Sequence, residues 1–440
     1  MPYVLSIAVT LLAMLPLAAT AAAAPSESAA LAVSTDEQLA LAPDVAVGPG
    51  GEIAVLWLAK GNPESAAAKA AAADRAKHGH THLSSMNLYV AVSKDGGASF
   101  SAPLRVNRED NEVWGFAVSR PRVAYGPGGT LHIAYPANEM QPDLGKPVLT
   151  SRYTRSTDGG ASFEVPRRLS TVTDADLANV IHGGFASVAA FGTMGVAPNG
   201  DVHLVWIDTR DMTSGTDNAS IYGVVSHDDG RTFTQDRVEA AGGVCPCCQL
   251  TLAFDSASRP VLGSRLVTPE GVRASTVARA DGKDGAFGER VSTGGAPWKI
   301  DGCPLKPTVL AVRGDTIYTA VHNGAEQPAG VLLATSRNGG ASFNAAQAAH
   351  PGAQVSDAPA IALAARDRAV VAWHAKTDGP RQIFYRTLDA SGQPLDAPNV
   401  LTSGDETAQH PALASRPDGR VQIAWQQGQR IYTSTIDPAE

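Results

Sequence analysis

Short apolar runs separated by turns rich in Gly, Asp and Pro fill the chain from Ala40 onward. The stretch from Pro43 to Trp57, Pro-Asp-Val-Ala-Val-Gly-Pro-Gly-Gly-Glu-Ile-Ala-Val-Leu-Trp, reads as strand, turn and strand. The same interval of fourteen positions separates Pro121 from Tyr135, Pro359 from Trp373 and Pro411 from Trp425. Pro307 to Val321 keeps the interval with an apolar residue at its end, and Met194 to Trp206 and Leu250 to Arg265 are degraded copies. A third strand is predicted after each pair, at Asn87 to Val92, Ser151 to Arg155, Ile221 to Ser226, Val331 to Ser336 and Ile383 to Leu388. A short fourth strand completes the unit.

One phrase recurs after the third strand. It runs from Ser93 to Phe100, Ser156 to Phe163, Ser226 to Phe233 and Ser336 to Phe343, with the pattern Ser-x-Asp-x-Gly-x-(Ser/Thr)-Phe and Asn338 in place of Asp in the last copy. Asp-x-Gly is the chemistry of a tight turn, the hydroxyl residue satisfies turn amides, and Phe opens the next strand by packing inward. Four antiparallel strands in a repeating unit make one blade of an all-β propeller. The repeats predict a single β-propeller of seven four-stranded blades, with six plus an extra hairpin as the alternative. The last unit, His410 to Ile436, runs out after three strands, so Ala29 to Ser34 is expected to supply the fourth and leave no open edge.

The phrase resembles the Asp-box, or bacterial neuraminidase repeat, of sialidase-like β-propellers. For architecture the resemblance covers nearly the whole mature chain; sialidases themselves are six-bladed. A retaining sialidase needs three arginines around the substrate carboxylate, a Tyr nucleophile assisted by Glu, and an Asp acid/base. The phrase nearest to the expected Arg-Ile-Pro element is Ser119-Arg120-Pro121-Arg122-Val123, which lacks the intervening apolar residue. Tyr385 falls on a predicted third strand, which does not place it at the channel. The resemblance therefore implies the fold and supplies no recognisable catalytic set.

Charge and composition narrow the partners. Val4 to Ala19 is apolar and Ala22-x-Ala24 precedes Pro25, the pattern of a secretory signal cleaved after Ala24, which leaves 25–440 as one propeller domain in the periplasm or outside the cell. A net charge of -8 with no Lys/Arg cluster argues against nucleic acid. No later apolar run reaches the roughly 18 residues of a membrane span.

Propeller connectivity puts the Asp-boxes on one face and the chemically unusual loops on the other. The insert at 59–86 opens with an Ala-rich stretch, Ser65 to Ala76, that predicts a short helix. It continues with His78, His80 and His82 and ends at Met86, a plausible copper or zinc ligand set or an incidental solvated loop. All four cysteines lie in two places, Cys245-Pro246-Cys247-Cys248 and Cys303, with Cys245 and Cys303 equivalent by position on neighbouring blades. Two disulfides are the plain expectation for an exported chain; a thiolate metal site is the alternative. Arg120, Lys306 and His410 each precede an inner-strand Pro, with Trp114, Trp298 and His182 in nearby loops. Cations beside indoles suit an anionic or sugar ligand, and local ion pairing is the competing account. The combined expectation is a non-hydrolytic ligand-binding propeller that holds a soft metal through its cysteines and the His/Met loop. A glycoside hydrolase acting on sialic acid or another acidic sugar, or a scaffold for protein partners, are the alternatives.

Overall fold

The computed structural model describes residues 26–35, 39–78, 84–117, 119–141, 146–171, 186–187, 189–211, 219–300, 302, 304–325 and 329–438. The expected signal segment therefore lies outside the described residues. The fold is all-β, built from four-stranded antiparallel sheets in chain order. The first comprises Ala40–Val47, Ile53–Lys60, Met86–Ser93 and Leu104–Arg105; the second Arg122–Tyr125, Leu131–Gln141, Lys146–Ser156 and Arg167–Arg168. The third comprises Ala190–Val196, Val202–Asp208, Ala219–Ser226 and Arg237–Val244; the fourth Thr251–Phe254, Pro260–Val267, Val272–Arg279 and Val291–Ser292. A single pair, Val244 with Leu266, joins these two. The fifth comprises Thr308–Arg313, Thr316–Asn323, Gly330–Ser336 and Gln347–Ala348, and the sixth Val355–Leu363, Ala369–Lys376, Gln382–Leu388 and Asn399–Val400. The last sheet has Ala408–Ser415, Val421–Gln427 and Arg430–Asp437, and Ser26–Glu27 and Leu31–Ala32 pair antiparallel to its third strand. First strands of successive sheets lie side by side, and Ala408–Ser415 lies against Ala40–Val47.

The repeated aromatic positions explain the core. Trp57, Tyr135, Trp206, Trp373 and Trp425 are all buried, each near the middle of a second strand. Trp57 stacks on Tyr89, Trp373 on Phe384 and Trp425 on Tyr432, with centroids 6.2, 6.4 and 5.9 Å apart. Removing one such ring costs about 3–5 kcal/mol in a packed core.

First strands bulge where the sheets approach the axis. Register slips between Leu41 and Asp44, Ala190 and Thr193, Asp357 and Ala360, and Gln409 and Ala412. Ala42, Phe191, Ala358 and His410 adopt φ of 54°, 50°, 50° and 56° there. Non-glycine residues rarely take this conformation, and a bulge re-aims the neighbouring side chains.

The Asp-boxes form one hydrogen-bonded device. Ser93 Oγ donates to Asp95 Oδ1 (2.7 Å) and accepts from Gly97 N (2.8 Å), while Asp95 accepts from Ser99 N (2.9 Å) and Ser99 Oγ (2.5 Å). The copies at Asp158 and Asp228 repeat this pattern. In the Asn338 copy the amide Nδ2 donates to Ser342 Oγ, so the direction of one bond is reversed and the loop is kept. Gly97, Gly160, Gly230 and Gly340 take φ between 77° and 101°, where a side chain would be strained. Phe100, Phe163, Phe233 and Phe343 each pack on an apolar cluster, as the pattern requires.

The third box adds Asp229 at a left-handed position, and its carboxylate accepts from Thr130 Oγ1 at 2.7 Å. His132, fully buried, is held between Tyr153 Oη (2.8 Å) and Asp229 Oδ1 (3.4 Å). Burial lowers its pKa to about 4, so the ring is neutral at pH 7. This box therefore fastens the second sheet to the third.

The bonds from Ser99, Ser162 and Thr232 hold Asp95, Asp158 and Asp228 well below the usual carboxylate range. Such a group stabilises the fold fully above its unfolded pKa near ~3.9 and loses that contribution as pH falls toward the depressed native value. Asp158→Asn should behave like the natural Asn338 copy and unfold near the wild-type urea midpoint, with a shallower loss of stability in acid. Asp158→Ala should unfold at clearly lower urea. Equal damage from both substitutions would contradict this account of the turn.

Candidate functional site

The bulged ends of the first strands and the loops between sheets share one face, and polar side chains converge there. Arg120 is the hub. One guanidinium nitrogen donates to the carbonyls of Pro43 (3.0 Å) and Pro411 (3.2 Å), on the first and last sheets. Its backbone is clasped by Gln249, whose Nε2 donates to Arg120 O (2.7 Å) and to Gly192 O (3.1 Å). Burial pulls the Arg120 pKa down to about 10, so the group remains charged at neutral pH. Its donors serve strand carbonyls.

A second group lies on the fifth, sixth and last sheets. Lys306 Nζ pairs with Asp357 Oδ2, and His322 Nδ1 lies 3.3 Å from Asp357 Oδ1. Burial opposes ionisation of Asp357, but His322 and Lys306 hold its pKa well below the ordinary range. His410 N donates to His374 Nδ1 (3.2 Å), so the His374 proton sits on Nε2, and the two rings meet edge to face at 5.1 Å. Burial lowers the two imidazoles to about 4 and about 3, leaving both neutral.

The cysteine run forms the third group. Cys245, Cys247 and Cys248 are buried free thiols inside an apolar cluster with Trp114, Phe191 and Leu250. The Sγ atoms of Cys247 and Cys248 each lie 3.5 Å from that of Cys245, and all three fall within 4.8 Å of one another. A disulfide requires about 2.05 Å, so these sulfurs are in contact without being bonded. Burial opposes ionisation of Cys248, but hydrogen bonds from Cys245 and Cys247 and the Arg265 charge lower its pKa well below that of a free thiol. The bond with Cys247 favours a Cys245 thiolate, yet the bond with Cys248 and burial outweigh it and push Cys245 up to about 12.

Arg265 borders the triad. Its backbone carbonyl accepts from Cys245 N at 2.9 Å. Its side chain donates to Lys306 O and His322 O, both at 3.1 Å, and lies 5.8 Å from the Trp298 ring centroid.

Of the residues singled out from the sequence, Arg120, Lys306 and His410 come together at the axis. Trp114 is buried against Phe116 and Phe191 at 5.3 and 5.5 Å. Met86 is buried in the first sheet, 8% exposed. The helix of the insert occupies Ala66–His78 and starts from Ser65, whose Oγ accepts Ala68 N at 3.1 Å. His80, His82, His182 and Cys303 lie outside the described residues, and the His78 side chain is likewise not described. Tyr385 is fully buried, its hydroxyl bonded to Glu27 at the seam between the sixth and last sheets. That Tyr/Glu pair ties the N-terminal strand, whose Glu27 is exposed, to the buried hydroxyl of the sixth sheet.

Arg265, His322, His374, Asp357 and Gln249 were not singled out from the sequence. A signal existed for three of them. The sixth residue of the second strand is Leu58, Pro136 and Ile207 in the first three sheets, but Arg265 in the fourth and His374 in the sixth, and the fifth sheet has His322 at the seventh. A column that is apolar in the first three sheets, basic in the next three and Gln426 in the last is legible once the strands are aligned.

No protein-family model matches the chain. No curated protein matches it either. Among solved structures, a protein of unknown function from Dyadobacter fermentans DSM 18053 is 17% identical, covering 94% of this chain and 99% of that one, with a TM-score of 0.51. A polysaccharide lyase, the PL25 ulvan lyase bound to GlcA(1-4)Rha3S, is 12% identical over 91% of this chain and 93% of its own, with a TM-score of 0.53. The Hadza microbial sialidase Hz136 is 13% identical over 79% of this chain and 72% of its own, with a TM-score of 0.48. The chain shares its overall fold with the Dyadobacter protein and the ulvan lyase. Among the described residues no helix is long and apolar enough to cross a membrane.

Arg120→Met should lower stability by about 1–3 kcal/mol, because the carbonyls of Pro43 and Pro411 lose their donor. Hydrogen exchange should quicken selectively in Ala40–Val47 and Ala408–Ser415. Unchanged exchange in both strands would show that Arg120 does not hold the axis.

Proposed function

We propose that this chain is an exported seven-bladed propeller, closed by its N-terminal strand, that binds a thiophilic metal ion without catalysing hydrolysis. On this reading residues 1–24 are the export signal and 25–440 the single domain. The order of contacts between first strands, and the pairing of Ser26–Glu27 and Leu31–Ala32 with Arg430–Asp437, support the ring and its closure.

The observation that carries the metal reading is the cysteine triad. Three buried sulfurs converge within 4.8 Å, as three ligands of one ion must. At a metal–sulfur length of about 2.3 Å, ligand sulfurs stand about 3.8 Å apart, close to the 3.5 Å of Cys245 to its two neighbours. Thiolate donors select copper(I) or zinc. The full chain, reduced and loaded without oxygen, should retain copper(I) through dialysis, and Cys245→Ser or Cys248→Ser should abolish retention. Metal-free wild-type protein after the same treatment, or a disulfide among the three found by mass spectrometry of the native protein, would overturn the reading.

A second reading is supported by Lys306, Asp357, His322, His374 and His410 at the axis of a fold shared with a carbohydrate-active enzyme. Those groups suit an acidic glycan. Turnover of acidic glycosides or glycans that falls on Lys306→Met would support it. No turnover across such a panel would remove it.

A further inference from the structure

We propose that the cleft between the fourth and fifth sheets holds one small monovalent anion between Arg265 and Trp298. The proposal goes beyond both readings above and rests on neither. Arg265, on the second strand of the fourth sheet, is 1% exposed. Its Nε and Nη2 donate across the seam to Lys306 O and His322 O, both at 3.1 Å. Among the described residues its Nη1 makes no bond and no carboxylate pairs with it. Trp298 supplies a second donor. The strand Trp298–Lys299 pairs antiparallel to Val272–Arg279, with Trp298 opposite Arg273. A Cβ at Gly324 would lie 2.8, 2.9 and 3.0 Å from Cζ3, Cη2 and Cε3 of the indole, so the benzo edge is laid on that glycine. The pyrrole edge is thereby turned away from it, and the Nε1–H is buried without an acceptor among the described residues. The ring centroid stands 5.8 Å from Arg265 Cζ. Arg273, also buried, lines the same cleft and donates to Gly302 O at 3.3 Å.

The lining selects the ligand. Arg265, Arg273 and Trp298 border a cleft that has neither Asp nor Glu among the described residues lining it. Lys306 and His322 share Asp357, whereas Arg265 has no such partner. Buried charges are ordinarily paired, and buried donors ordinarily have acceptors. A water molecule would accept the hydrogen bonds but leave the Arg265 charge unmatched by any carboxylate. An anion meets both needs. The interior admits about one water-sized group, which suits chloride or the end of a carboxylate and excludes sulfate.

The test follows the thermal midpoint of the full chain, freed of metal and chloride, against sodium chloride and against sodium glucuronate. Sodium sulfate at equal ionic strength is the control. An ion that binds the native state raises the midpoint saturably. Chloride is expected to do so and sulfate is not. Arg265→Met should abolish the saturable rise, and Trp298→Phe should raise the half-saturating concentration about tenfold. A saturable rise with glucuronate alone would put the anionic group on a sugar and keep the site. Should Arg265→Met not fold, Trp298→Phe carries the comparison. No saturable rise with either salt, an equal rise with sulfate, or a rise unchanged in either variant would overturn the proposal. None of these results bears on copper(I) retention by the cysteines, so the two readings fail separately.

Discussion

The constraint on which the structure depends is the set of first-strand edges facing the axis. Each first strand has one neighbour in its own sheet, so its other edge presents backbone groups that nothing in that sheet satisfies. Arg120 and Gln249 meet part of that need. One caps carbonyls on the first and last sheets, and the other crosses to the second and third. A basic residue before an inner-strand proline thus has a structural task before it has a chemical one. This explains why Arg120 resembles a substrate clamp in the sequence and is committed to the backbone in the fold.

The same axis divides the molecule into two chemically different halves. In the first three sheets the residues toward the end of the second strand are Leu58, Pro136 and Ile207. In the fourth to sixth they are Arg265, His322 and His374. Asp357 and His410 arrive on bulged backbone of the sixth and last sheets. Four imidazoles, His132, His203, His374 and His410, are kept neutral mainly by burial. The chemical groups sit where the repeat departs from its own pattern.

The architecture was largely legible because it is written in local, repeated terms. The interval from Pro43 to Trp57 and the four Asp-boxes encode strand, turn and inward aromatic in each unit, and four-stranded antiparallel sheets follow. Asn338 shows why the box tolerates change: an amide can reverse one hydrogen bond and preserve the others. The site was legible only in part. The cysteines stood out by rarity, but whether they would bond or merely converge depends on side-chain geometry that spacing does not encode. Trp114 looked like a ligand platform because indoles favour loops near binding sites, and the fold uses it to fill the core beside the thiols. Arg265 escaped notice because its unit is the degraded one, where the interval used to align the others fails.

Two roles meet in the fourth sheet. The connection leading into it carries the cysteines and the glutamine that braces its neighbours, and its second strand carries the buried guanidinium, so the bracing of the first strands and the placement of the thiols are linked. X-ray absorption at the copper edge of the loaded full chain tests the central claim most directly. The account predicts a first shell of three sulfurs at about 2.3 Å and no nitrogen or oxygen scatterer at bonding distance. A shell dominated by nitrogen or oxygen would place the ion elsewhere and contradict it.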